Sequence, residues 1–184
     1  AGNGEVFYMA PLYAHFLALL YAVSGGSALF AAFAQILLDV AAGYLLYLLG
    51  KRLFDEQTGL IALAFYMFYR TSIVYAAAIL SDGLILFLNV AFILSLYRAL
   101  GAKTWRAWIG CGVVLGFAAL AKPTILAFFP FFLAGLALYP DPAFTPAASK
   151  DRKRHVLLAS LAAAAGAAVV ILPVTIRNFV IGGD

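Results

Sequence analysis

The chain has 184 residues, 66% of them hydrophobic and only 11% charged, with a mean hydropathy of +1.02. A soluble domain carries roughly a quarter charged residues, so this composition excludes a water-soluble globular protein and reads as an integral membrane protein. The net charge of +4 does not mark a nucleic-acid partner, because the basic residues sit in turns between long apolar runs.

Period-two alternation is absent, which argues against a membrane β-barrel. The single cysteine, Cys111, lies in an apolar run and reads as a small buried thiol, so no disulfide framework is expected. The sequence opens on Ala1 without a signal peptide, and it is expected to be a piece of a longer protein.

Residues 1–11 are polar and glycine-containing. Leu12 to Ser24 is apolar but too short to span a bilayer, and Gly25-Gly26-Ser27 breaks it, so it reads as an interfacial or re-entrant helix. Six spans follow, at 28–50, 57–80, 82–98, 106–121, 124–139 and 156–176. The expected class is therefore all-α: a polytopic transmembrane helix bundle in a single membrane domain, 1–184. Residues 1–27 form an outer loop with its interfacial helix, and 28–176 form the bundle. Lys51 to Glu56 is a short polar turn, Trp105 and Trp108 read as interface anchors, the loop 140–155 holds a basic run, and Arg177-Asn178 closes the last span.

Of the twelve Lys and Arg residues, nine fall on one side of these spans and three, Arg70, Lys122 and Arg177, on the other. The positive-inside rule puts the nine, in loops 51–56, 98–106 and 140–155, in the cytoplasm. Both ends of the sequence then lie outside, and the protein is placed in the cytoplasmic (inner) membrane. Each outer cation stands alone at a span end. Three such cations can converge on one anionic group, or each can snorkel to lipid phosphate.

Arg70 and Asp82 bracket a stretch containing Tyr75. Charge within membrane-grade sequence is costly and hints at function, whereas charge in a loop at the surface costs little. Arg70 lies eleven residues past Gly59, about 17 Å along a helix, short of a hydrocarbon core of ~30 Å. Either Arg70 sits deep or the helix ends early beneath a polar cavity. Asp82 follows Ser81 and opens the next helix. Ser81 or Asp82 can cap that helix, or Asp82 can orient a substrate or hold a divalent metal at an outward cavity.

Gln35 and Asp39 are four apart and share a helix face, so Asp39 is expected to face other helices, protonated or hydrogen-bonded, with Gln35 as one candidate partner and a proton relay as the competing role. Asn89 reads as an interhelical hydrogen bond. Gly112 and Gly116, with Gly110 nearby and the small residues Ala162 to Ala168, predict close helix packing. His15 and His155 are too far apart to suggest a metal pair, and no phosphate-binding loop, zinc spacing or nucleophile elbow occurs.

Several short patterns recur in one order: Ala10-Pro11-Leu12-Tyr13, Gly25-Gly26-Ser27, Gln35-Ile-Leu-Leu-Asp39, Tyr47 to Phe54 with Lys51-Arg52, Ile79-Leu-Ser-Asp82-Gly-Leu, Gly116 to Thr124 with Lys122-Pro123, and Ile176-Arg177-Asn178-Phe179. The set resembles the bacterial membrane glycosyltransferases related to protein mannosyltransferases and to the aminoarabinose transferases of lipid A, which have the GT-C fold. The resemblance covers nearly the whole chain. It implies a sugar donor on a polyprenyl phosphate, transfer to a lipid, glycan or protein acceptor at the outer face of the membrane, and no nucleic acid.

In such enzymes the general base lies in the first outer loop, which the resemblance places before Ala1; Glu5 does not match the acidic motif. The sequence would then be a catalytic-core fragment, inactive alone. Asp82 matches the second outer acidic residue, as catalytic or metal-holding. Lys122 matches a cation for the lipid-linked phosphate, and Arg177 matches the Arg-Asn at a span end. With Tyr75, Tyr13 and Arg70 these make up the substrate-binding candidates. The sequence departs from the pattern at Ala14 and Arg70, where Pro is usual, and at Val174, where Trp is usual, so Arg70 transfers least. The competing classes are a transporter or flippase built on Asp39, Asn89 and Arg70, and a non-catalytic subunit of a membrane complex. Paired broken helices in two related halves would mark the transporter.

Overall fold

Glycine decides where the first helix stops. In the computed structural model, which describes residues 10–69, 80–102, 104–131, 134 and 149–182, helix α1 runs Leu12–Ser24 and ends at Gly25 with φ +66°. Gly26 follows at φ +92°, and nothing lies within 4 Å of a Cβ placed on either residue. Backbone conformation, not space, therefore demands glycine at this corner. Both glycine N–H groups donate to the Tyr21 carbonyl. Ser27 then caps the next helix by accepting from the Phe30 N–H at 3.3 Å. The short helix and its break fall where the sequence places them.

Helix α2, Ala28–Leu53, and α3, Glu56–Tyr69, form a hairpin. Lys51 and Arg52 belong to the last turn of α2 and not to a separate loop, which leaves only Phe54 and Asp55 as the connection. Asp55 accepts the Thr58 N–H at 2.7 Å and so caps α3. The helices touch backbone to backbone: a Cβ on Gly50 would come within 2.9 Å of Gly59 Cα, and one on Gly59 within 2.7 Å of the Tyr47 carbonyl. Side chains tie the same corner, with Lys51 Nζ 3.0 Å from Glu56 Oε1 and the Tyr47 hydroxyl donating to that carboxylate at 3.0 Å.

Helix α4 is Asp82–Gly101, α5 is Trp105–Ala121, and a short 3-10 turn, Pro123–Ala127, precedes α6, Ser149–Gly182. The described residues contain no strand. The chain divides into two units, one of Pro11–Leu94 and one that includes Ser95–Asp184. In the first, Leu49 of α2 packs with Val90 and Leu94 of α4 and with Leu45, Leu46, Leu48 and Leu86.

In the second unit, α5 and α6 are the main pair. Cβ atoms on Gly112 and on Gly166 would overlap the carbonyls of Ala163 and Ile109 respectively, and one on Gly116 would lie 2.8 Å from Val170 Cβ. Small residues here let two backbones meet, as Gly112, Gly116 and the alanine run predict. Gly110 faces open space and takes no part. Cys111 is a fully buried free thiol.

Among the described residues, three helices are long and apolar enough to cross a membrane: Ala28–Leu53, Asp82–Gly101 and the Val156–Ile181 part of α6. Away from their charged ends these helices expose large apolar side chains, among them Leu29, Phe33, Val40, Leu161, Val169 and Phe179. That is the reverse of a soluble surface and fits a protein solvated by lipid tails.

Several expectations change. The last helix does not end at Arg177-Asn178 but continues to Gly182, and residues 149–155 of the expected loop are its first turns. It tolerates Pro173 in its interior, where the missing N–H frees a carbonyl. Thr175 Oγ1 donates back to the Ile171 carbonyl at 3.2 Å nearby, the kind of local adjustment that makes such a proline affordable in lipid. Trp108 is no interface anchor. At 2% exposure it is buried within the protein, while Trp105 is exposed beneath the Arg106 guanidinium. The expected span 124–139 begins as a 3-10 turn because Pro123 interrupts the helix at Lys122. Residues 70–79 of the span 57–80 and 132, 133 and 135–139 of the span 124–139, with Arg70 and Tyr75 among them, lie outside the described residues, as does Lys103.

Candidate functional site

Two candidates stand at helix ends whose dipoles favour them. Asp82 is the first residue of α4 and exposed. Ser81 precedes it in the capping position, its carbonyl accepting the Ile85 N–H at 3.0 Å. Asp82 thus supplies charge in the first turn, where the positive end of the helix dipole stabilises a carboxylate. Lys122 occupies the complementary place. It ends α5 with φ −155° and ψ +107°, its N–H still donating to the Ala118 carbonyl at 2.8 Å. The following proline forces this extended geometry, and the side chain is exposed.

Tyr13 is tied to the segment that leads into Asp82 by a link that sequence reasoning did not foresee. Gln35 Nε2 donates to the Tyr13 hydroxyl at 2.7 Å and to the Leu80 carbonyl at 3.2 Å. One amide therefore joins α1, α2 and the segment that leads into α4. Burial raises the Tyr13 pKa above its ordinary value. The hydrogen bond from Gln35 works against that shift, and the Tyr21 and Asp82 side chains add to it through charge. Tyr13, Gln35 and Asp82 consequently share one electrostatic neighbourhood within the first unit.

The expected Gln35–Asp39 pairing is not made, although the four-residue spacing keeps both on one side of α2. Gln35 turns to Tyr13 and Leu80, and Asp39 Oδ1 accepts from the Tyr66 hydroxyl of α3 at 2.6 Å. Each polar group finds a partner on a different neighbouring element. Pattern along one helix cannot reveal such partners, although Tyr66 lies in an otherwise apolar run and was a legible signal.

Arg177 lies in α6 of the second unit, exposed, with Nη1 3.5 Å from Asn178 Oδ1. Lys122 belongs to the same unit. Arg70 and Tyr75 lie outside the described residues. Among the described residues no group of three His, Cys, Asp or Glu side chains could hold a metal ion.

Within the first unit, Gln35 ties the Tyr13 hydroxyl to the segment that leads into Asp82. A family model described as dolichyl-phosphate-mannose-protein mannosyltransferase matches residues 9–176. The chain belongs to this family. It is a member of a glycosyltransferase family whose all-helical, apolar architecture fits work on membrane substrates. The match takes in Tyr13, Gln35, Asp82 and Lys122, and stops one residue before Arg177. No curated protein and no solved structure gives a significant match.

Proposed function

We propose that this chain forms part of the core of a glycosyltransferase that takes a sugar from a polyprenyl-phosphate donor. The acceptor is a lipid, glycan or protein, and transfer takes place at the outer face of the cytoplasmic membrane. The observation that carries the proposal is the position of Asp82 within the family match, exposed at the start of α4.

Asp82 orients the acceptor or the sugar by accepting hydrogen bonds from hydroxyl groups. A second carboxylate, from an outer loop ahead of this region, acts as general base. Lys122 and Arg177 meet the lipid-linked phosphate. As the glycosidic bond breaks, negative charge collects on that phosphate, and a cation already in place stabilises it more in the transition state than in the ground state. The concentration of Lys and Arg in residues 51–56, 98–106 and 140–155 supports an orientation with those segments in the cytoplasm.

The test is transfer by the full-length enzyme in membranes, from a labelled polyprenyl-phosphate sugar. Asp82→Asn and Lys122→Ala each lower the rate by about 100-fold or more, with normal membrane insertion and thermal stability. Full activity in both variants overturns the assignment.

A further inference from the structure

Gln35 sits in the eighth position of α2, within a helix long and apolar enough to span. A primary amide there is costly unless its donors are matched. Both of its N–H bonds are spent outside its own helix, on the Tyr13 hydroxyl at 2.7 Å and the Leu80 carbonyl at 3.2 Å. Leu80 stands outside helical structure, just ahead of the turn whose Ser81 carbonyl begins the α4 ladder. Its carbonyl is thus held by a side chain, and Asp82 is two residues further on. At the other end, α1 begins at Leu12, so Tyr13 lies in its first turn. Because its oxygen accepts from Gln35, the Tyr13 hydroxyl keeps its own proton for a third group. Accepting one hydrogen bond also strengthens the next one donated.

We propose that Gln35 is a positioning residue of the transfer site: its amide latches the interfacial helix to the start of α4, setting the separation of Asp82 from the Tyr13 hydroxyl and leaving that hydroxyl free to donate to a substrate oxygen. The inference rests on the reading of Asp82 as a site residue. Gln35 touches neither reacting group, and it acts through the two residues it holds.

The experiment uses the full-length enzyme in native membranes, with kcat and donor KM measured per folded protein for Gln35→Leu, Gln35→Glu, Tyr13→Phe and the double variant Gln35→Leu/Tyr13→Phe. Gln35→Leu keeps the bulk without the amide, and Gln35→Glu keeps the shape but sets an acceptor against the Leu80 carbonyl. Tyr13→Phe keeps the ring and serves if the Gln35 variants do not fold. The expected result is a loss of about tenfold in kcat/KM for Gln35→Leu and for Tyr13→Phe, with Gln35→Glu at least as impaired. The double variant is no worse than the poorer single, because both remove the same link. Unchanged kinetics in Tyr13→Phe and in whichever Gln35 variants fold overturn the proposal. So do losses that multiply in the double variant, or losses fully accounted for by less folded protein. Asp82→Asn runs in parallel: its full activity defeats the site reading itself, whereas its inactivity beside unimpaired Gln35 and Tyr13 variants defeats only the latch.

Discussion

The Tyr66 hydroxyl donates to the Asp39 carboxylate at 2.6 Å, joining α3 to α2 through the middle of the hairpin. An acidic group in apolar surroundings needs such a partner, because its transfer from water is otherwise prohibitive. This bond supports the structural role of Asp39 over a proton-relay role. Tyr66→Phe is expected to cost about 1–3 kcal/mol of stability, read as a lower unfolding temperature in detergent. Transfer per folded enzyme is expected to be unchanged. A large fall in activity at undiminished stability would restore the relay.

Gly112 and Gly110 are two residues apart yet predict opposite outcomes. A methyl on Gly112 would overlap the Ala163 carbonyl, whereas one on Gly110 meets nothing within 4 Å. Gly112→Ala must push α5 from α6 and is expected to destabilise by about 1–3 kcal/mol. Gly110→Ala is expected to be neutral or to stabilise by up to about 1 kcal/mol through helix propensity. Thermal unfolding of the two variants side by side checks both.

At the α2–α3 corner, the hydrogen bond from Lys51, followed by that from Tyr47, holds the Glu56 carboxyl below its ordinary value of 4.5. Lys51 is raised in turn, first by its bond to Glu56. A carboxylate with a depressed folded pKa contributes stability above its unfolded value and loses it as pH falls through the folded one. The lysine's contribution is present below its ordinary 10.5 and is lost only as pH rises above that value. Lys51→Met is therefore expected to be slightly less stable than the parent at neutral pH. The difference should narrow as pH falls below the ordinary 4.5 and through the lower folded value, and shrink in high salt, since the pair is exposed. Unfolding temperatures of both proteins across pH 3 to 7 measure it.

Orientation can be read with thiol chemistry in a background where Cys111 is replaced. A membrane-impermeant reagent applied from outside is expected to label a cysteine placed at Asn178 and not one placed at Ser149. These residues lie at opposite ends of α6, which runs Ser149–Gly182. The reverse labelling pattern would invert the proposed topology.

Composition alone determined that this chain lives among lipids and is all-helical, because 66% hydrophobic residues in runs of spanning length admit little else. Local chemistry also determined the break at Gly25-Gly26, the cap at Ser27 and the meeting face of Gly112 and Gly116, since backbone conformation and side-chain size are written residue by residue. The candidacy of Asp82 and Lys122 was legible for the same reason, each next to a recognisable helix boundary. Tertiary structure decided what no periodicity contains. Trp108 went into the protein interior, α6 ran past Asn178, and two polar side chains four residues apart on α2 took partners on different elements. Hydrogen-bond partners distant in sequence depend on which surfaces meet, and in a uniformly apolar chain the hydrophobic pattern says little about which face meets which neighbour. Gln35 therefore read as a companion of Asp39 until the fold joined it to Tyr13 and Leu80.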